Sequence, residues 1–253
     1  MSEQMNVELD DRGVMRIVFN RPETLNALLP EMLTELAETV NGAKAKGARV
    51  ITIEGEGRAF TAGIDLKALR GETPKAGKIS QVFDGPGVAA STALRNAGIP
   101  VIAKIHGACF TGGLELALSC DMCFATKDAK FGETHAKFGL RPTWGMSQTL
   151  SDAIGIRRAK ELSFTARIFR GDEAERWGIV NSLCEDKAEL DALVDKRVEQ
   201  ILSCSQGSIE AYVDLYDYAA EPSGREEGIE TVYARHYPNI SDEDTAERLA
   251  QFM

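Results

Sequence analysis

The sequence predicts an α/β fold with parallel strand pairing, followed by a helical appendage. Three observations carry this reading. Short β-branched runs alternate with segments of helical periodicity over roughly the first 186 residues. The run at 99–107, "IPVIAKIHG", is apolar almost throughout, as a strand buried on both faces must be. From Lys187 onward the strand signals stop and helical segments follow one another. The division is therefore expected at 1–186 and 187–253.

Taken in order, "VMRIVFN" (14–20) and "ARVITIEG" (48–55) are strands, apolar and bounded by turn residues. Between them, Leu29, Met32, Leu33, Leu36, Ala37 and Val40 recur at helical spacing. Pro30 suits that helix's first turn, and Gly47 suits its end. Strand-like material continues through "DMCFATKDAKFG". A chain that returns from strand to helix to strand favours right-handed crossovers. The stretch at 70–81 is polar and lacks periodicity, and is expected to be a mobile surface loop of the kind that covers sites. In the last third, 187–203, 208–220, 226–237 and 242–253 all read as helices. No internal repeat or low-complexity segment stands out.

Composition narrows the function. The 253 residues are 43% hydrophobic, enough for a sizeable core. A net charge of −10 repels nucleic acid and anionic lipid in bulk, so neither is an expected partner. No apolar run has spanning length, and the acidic start is unlike a targeting peptide, so a cytoplasmic location is expected. Cys109, Cys120, Cys123, Cys184 and Cys204 form no dense framework and are read as reduced thiols. No ligand cluster for a metal is visible. Cys120 and Cys123 lack the second pair that zinc requires.

The chemistry concentrates in "FTGGLELALSCD" (110–121). Gly112 and Gly113 open a helix, and Glu115 lies in its first turn. Helix-start N–H groups have no intrahelical partners, and glycine lets an oxygen approach them closely. That supplies half of an oxyanion hole. "GRAFTAGIDL" (57–66) supplies a second candidate N–H around Ala62, Gly63 and Ile64. A buried carboxyl at Glu115 has a raised pKa and works as acid or base near neutrality. Taken singly, tight helix–sheet packing accounts for the glycines equally well. Asp65 reads as a helix cap rather than a catalyst.

The order "NRPETLNAL" (20–28), "GEGRAFTAGIDL" (55–66), "PVIAKIHGACFTGGLELALSCD" (100–121) and "GIVNSL" (178–183) resembles the crotonase, or enoyl-CoA hydratase/isomerase, superfamily. The resemblance runs from about Val14 to Leu183. It implies a spiral of repeated β-β-α turns with a C-terminal helical oligomerisation domain, assembled as a homotrimer or a dimer of trimers. It implies an acyl-CoA thioester whose oxygen meets the backbone N–H groups of Ile64 and Gly112, where an enolate is stabilised. Glu115 matches one catalytic glutamate of the hydratases. The second falls at His135, where an imidazole can share acid and base work or simply shape the pocket. Glu133, two residues earlier, would share a face with His135 on a strand-like segment and is a possible substitute carboxylate. Arg58 and Lys67 match positions often basic toward coenzyme A phosphates, and solvated surface cations are the plain alternative. Ala62 and Gly113 belong to the same substrate-binding motifs. Thr143 and Trp144 add bulk to a turn bordering the acyl site, although a lone Trp is more often a core anchor. The implied activity is hydration of a 2-enoyl-CoA, with no cofactor beyond the coenzyme A of the substrate. Isomerisation, thioester hydrolysis, decarboxylation and non-catalytic acyl-CoA binding are the alternatives.

Overall fold

The computed structural model describes residues 3–72, 75–220 and 242–251. Its large sheet has six strands: β1 (Met5–Leu9), β2 (Val14–Phe19), β3 (Val50–Gly55), β4 (Val101–Ile105), β6 (Met122–Thr126) and β9 (Ser182–Cys184), hydrogen-bonded in that order. β1 is antiparallel to β2, and the remaining neighbours are parallel. A small sheet holds β5 (Ala108–Phe110), β7 (Lys130–Gly132) and β8 (Ile168–Arg170). The three strands read from the sequence are β2, β3 and β4. The expected first helix is α1 (Pro30–Ala43), which buries Met32, Leu33, Leu36, Ala37 and Val40 as its periodicity requires.

β3 shows how the large sheet is used on both faces. Ile51 and Ile53 join the main core, while Val50 faces a second cluster built on α7 (Lys187–Ser203) through Leu190, Val194 and Val198. The first helix of the expected C-terminal region thus covers the sheet's second face. Glu54 also lies on the α7 side, 1% exposed, with Lys104 at 3.3 Å and Lys187 at 2.9 Å. Burial alone would raise the Glu54 carboxyl, but Lys104, Lys187 and Arg16 outweigh it and hold it down at about 2. A buried carboxylate with these partners ties α7 to the sheet.

Helix α2 (Gln81–Arg95) has no counterpart in the sequence reading. Gly85, Pro86 and Gly87 interrupt any helical pattern, and tertiary packing overrides their propensity. Residues 75–80, just before α2, are non-helical, as expected, yet Ile79 is 3% exposed and Gly77 accepts from the Arg141 N–H at 2.9 Å. Helices α3 (Gly112–Ala117), α4 (Met146–Ile154), α5 (Ile156–Thr165), α6 (Gly171–Trp177), α8 (Gln206–Ala220) and α9 (Asp242–Ala250) complete the described elements. The helix expected at 226–237 lies outside the described residues. Leu249 of α9 is buried in the main core, close to the short helical turn His135–Phe138.

Successive turns of the chain repeat one plan. β3, β4 and β6 each pass from the large sheet to the small one, and then into helical structure. Thr61 bridges to Cys109, and Cys109 pairs with Phe131, so three parallel segments lie side by side. Their carboxyl ends open at one edge. There the chain reaches Ile64, Gly112 and Thr134–His135 in turn. This alignment, not proximity in sequence, gathers the site. Crevices at the carboxyl ends of parallel strands are the usual binding position in α/β folds.

Candidate active site

The segment that carries Ile64 is held by the "NRPETLNAL" motif. Leu25 and Asn26 both have positive φ (55° and 54°), and the bend they make lays Leu28 alongside Ile64. Asn26 is fully buried. Its side chain donates to Glu56 O and Ala59 O and accepts from the Arg21 N–H. Arg21 pairs with Asp65 at 2.9 Å, and Asp65 accepts the Lys67 N–H at 3.0 Å, the cap read from the sequence. Leu28 donates to Gly63 O and accepts from the Asp65 N–H. In a parallel ladder those two bonds bracket Ile64, so its own N–H is directed away from Leu28.

Gly112 is the first residue of α3, and its N–H is one of the helix's unpaired donors. Thr111 before it has φ 51° and ψ −111°, an outlier for a β-branched residue. Its hydroxyl shares a 2.7 Å hydrogen bond with that of Thr134. The two motif segments touch: a Cβ on Gly63 would lie 2.9 Å from Phe110 O. Gly112 lacks a side chain because the Trp144 ring occupies its place, 2.6 Å from where a Cβ would sit. Gly113 faces Thr61 instead, at 2.5 Å. Its role is close packing of α3 on the small sheet.

Glu115 is 2% exposed. Its Oε1 accepts the backbone N–H groups of Trp144 (3.0 Å) and Met146 (3.2 Å). With Oε1 committed, Oε2 is the oxygen available for proton transfer. It lies 3.6 Å from Nε2 of His135. Burial pushes the Glu115 carboxyl up to about 7, against the lowering effect of His135 and the two backbone donors. Burial opposes a charge on His135 as well, but the hydrogen bond to Glu133 and the carboxylates of Glu115 and Asp84 raise its pKa above the ordinary value. Asp84 is itself buried, accepts from the Thr143 hydroxyl at 2.7 Å, and is pushed upward by desolvation.

A cavity of about 120 Å³ lies in front of these groups. Ala62, Ile64, Gly112, Glu115, His135 and Trp144 all line it, with Thr111, Thr134, Ile79 and Phe and Leu side chains completing the wall. Only Glu115 and His135 among the lining residues titrate. Thr143 is buried behind the cavity against Asp84, and Arg58 and Lys67 are exposed outside it. Glu133 does not line the cavity. Its carboxylate backs His135 at 2.5 Å from Nδ1, so it does not stand in as a second carboxylate facing the ligand. Ile79, Thr134 and Gly87 were not singled out by sequence reasoning. Ile79 sits in an aperiodic stretch, and Gly87 in a Gly-Pro-Gly run that reads as a break.

Trp144 is 1% exposed, and its ring lies against two glycines. A Cβ on Gly87 of α2 would lie 1.9 Å from Cε2 of the ring, while one on Gly112 would meet Cζ3. Its Nε1 has no hydrogen-bond partner among the described residues. The ring is placed for shape, while its backbone N–H holds Glu115.

A family model described as enoyl-CoA hydratase/isomerase matches residues 10–253. The human mitochondrial methylglutaconyl-CoA hydratase is 35% identical over 200 residues, 77% of this chain and 57% of that protein. The chain thus spans little more than half of that relative's length. The peroxisomal Δ(3,5)-Δ(2,4)-dienoyl-CoA isomerase of Arabidopsis thaliana is 33% identical over 191 residues, covering 72% of this chain and 70% of the isomerase. A Thermobifida fusca YX protein solved in complex with acetoacetyl-CoA superposes with a TM-score of 0.77 at 28% identity, over 98% of this chain and 96% of the other.

Proposed function

Because the chain belongs to the enoyl-CoA hydratase/isomerase family, we propose that it is an acyl-CoA enzyme that adds water to the double bond of a short 2-enoyl-CoA. The observation that carries this reading is the pair of proton-transfer atoms, Glu115 Oε2 and His135 Nε2, 3.6 Å apart in a largely apolar cavity where they are the only titratable lining groups. In the proposed reaction the thioester oxygen accepts from the N–H groups of Ile64 and Gly112. Negative charge developing there as an enolate meets preoriented donors and a helix N-terminus. Glu115 Oε2 takes a proton from water as its oxygen bonds to C3. His135 Nε2–H delivers a proton to C2. Transfer from Glu115 back to His135 restores the site, and the sum is one water added across one double bond.

The cavity is comparable to the ~150 Å³ engineered cavity that accommodates benzene, so the acyl group it suits has about four to six carbons. Arg58 and Lys67, exposed beside the motif that carries Ile64, are assigned to the coenzyme A phosphates. No metal or redox cofactor is needed for these proton transfers, and coenzyme A arrives as part of the substrate. The exposed Ile156, Phe164, Ile168, Tyr212, Leu215 and Tyr216 fit burial in a homotrimer or a dimer of trimers. Free cysteines fit a reducing compartment such as the cytoplasm. Among the described residues, no helix is long and apolar enough to cross a membrane.

Product analysis on 2-enoyl- and 3-enoyl-CoAs in heavy-oxygen water tests the reading. Labelled 3-hydroxyacyl-CoA from the 2-enoyl substrate is the expected result. Double-bond migration without label would replace hydration by isomerisation. That second reading is favoured by the fact that Glu115 Oε2 alone suffices to shuttle a proton between two acyl carbons. Label in a released acid would mean thioester hydrolysis.

The two titrations predict the pH profile. Glu115 acts ionised, so kcat/KM rises as pH climbs through about 7. His135 acts protonated, and its pKa is raised, so the rate falls again at higher pH. The two limbs belong to the coupled pair. In His135→Ala the positive charge that favours the Glu115 carboxylate is gone. The acid limb then moves to higher pH and the alkaline limb disappears. A pH–rate series on both proteins reads this directly, and identical profiles would remove His135 from the chemistry.

A further inference from the structure

We propose that Glu133 is a positioning residue for the site: by accepting the Nδ1–H of His135 it holds the imidazole with Nε2 turned toward Glu115. Glu133 is 1% exposed, and its Oε1 lies 2.5 Å from Nδ1. A carboxylate only accepts, so the ring nitrogen it meets carries the hydrogen. This fixes the tautomer: when His135 is neutral, Nε2 is the bare nitrogen, and when it is charged, Nε2–H points across the 3.6 Å gap at Glu115 Oε2. The backbone explains how neighbours two apart come together. Thr134, with φ −115° and ψ 12°, turns the chain out of β7 and into the short helix that starts at His135. The Thr134 hydroxyl is anchored to Thr111, the residue that sets Gly112 at the start of α3. The same bend that brings Glu133 behind His135 is therefore tied to the oxyanion-hole segment.

Three carboxylates act on the ring. Glu133 meets Nδ1, Glu115 on α3 faces Nε2, and Asp84 on α2, which accepts from Thr143, acts through space. Glu133 alone among these carboxylates is hydrogen-bonded to the imidazole within 3.5 Å. Buried charges so arranged are strongly destabilised unless partnered, so a charged ring at this place depends on Glu133. The inference deepens the hydration reading and rests on it for its kinetic consequence, but not for its structural one.

The test uses ¹⁵N-imidazole NMR on the free enzyme, with three histidines in the chain and His135→Ala to assign the signal. In the wild type, the neutral His135 is expected as the Nδ1–H tautomer. In Glu133→Gln its titration is expected at lower pH by one unit or more, with kcat down 10- to 100-fold, KM little changed, and the alkaline limb of the rate profile moved down in parallel. Glu133→Asp is expected to restore part of both. An Nε2–H tautomer in the wild type would overturn the proposal without any variant having to fold. So would a His135 titration unmoved in a folded Glu133→Gln. If the ring behaves as expected but no 2-enoyl-CoA is hydrated, the positioning role stands and the hydration reading fails.

Discussion

Glu115→Gln is expected to lower kcat by about a thousandfold while leaving KM within a few-fold of the wild type. The argument starts from the two oxygens. Oε1 accepts from the Trp144 and Met146 N–H groups, and an amide oxygen accepts equally well, so the side chain stays in place. Oε2 becomes an NH₂ group that takes no proton from water. Losing a positioned acid/base group costs a factor of about 10²–10⁴, and the thousandfold expectation corresponds to about 4 kcal/mol of barrier. Ground-state binding of the thioester depends on other groups, which is why KM is expected to hold. Steady-state kinetics on a short 2-enoyl-CoA, with circular dichroism to verify folding, measures both quantities. A variant within tenfold of the wild type would sink the assignment of Glu115 as the reacting carboxyl.

The second large effect is expected at a residue that does not itself line the cavity. Gly87→Ala should destabilise the protein by about 2 kcal/mol. Overpacking a full core costs about 1–3 kcal/mol or more, and the gain from replacing a helical glycine, about 1 kcal/mol, offsets part of it. The new methyl would lie 1.9 Å from the Trp144 ring, which is 1% exposed and also packs against Gly112 of α3. The corresponding fall in Tm is about 4–8 °C. Because the Trp144 N–H holds Glu115, a displaced ring also moves the carboxylate, so kcat should fall along with stability. Trp144→Ala removes the whole indole that the methyl meets. Gly87→Ala should therefore cost less in the Trp144→Ala background than in the wild type, a non-additivity that thermal denaturation reads. Simple additivity would mean that the ring and the helix are not in the contact described.

These two residues mark the limits of what the sequence discloses. Glu115 stood out because it follows two glycines that open a helix and sits among apolar residues, where a carboxylate is costly, and these signals are local. Gly87 was hidden because Gly85-Pro86-Gly87 looks like the end of a helix, and only contact with Trp144 and packing against α1 make it the inside of one. Two of the three strands of the small sheet escaped for a related reason. β5 and β8 have three residues each, too few for a period-2 signal to show. The expectation that Glu133 and His135 would share a face came from strand periodicity. The two side chains do meet, but through the bend at Thr134, and Glu133 ends up behind the ring instead of beside the ligand.

By itself the sequence determined the alternation of strands and helices, the buried face of α1, the double-sided burial of β4 and the positions of the two glycine-bearing motifs at 57–66 and 110–121. Each of these follows from side-chain period or from the backbone freedom of glycine, which are properties of a few consecutive residues. Only the tertiary structure decided that Ile64, Gly112 and His135 leave three aligned strands at one edge, and that Glu115 has one committed oxygen and one free. It also decided that burial lifts the Glu115 carboxyl to about 7. Desolvation, hydrogen bonding and steric fit act through space, and at this site the atoms responsible come from segments as far apart in the chain as Gly87, Glu133 and Met146.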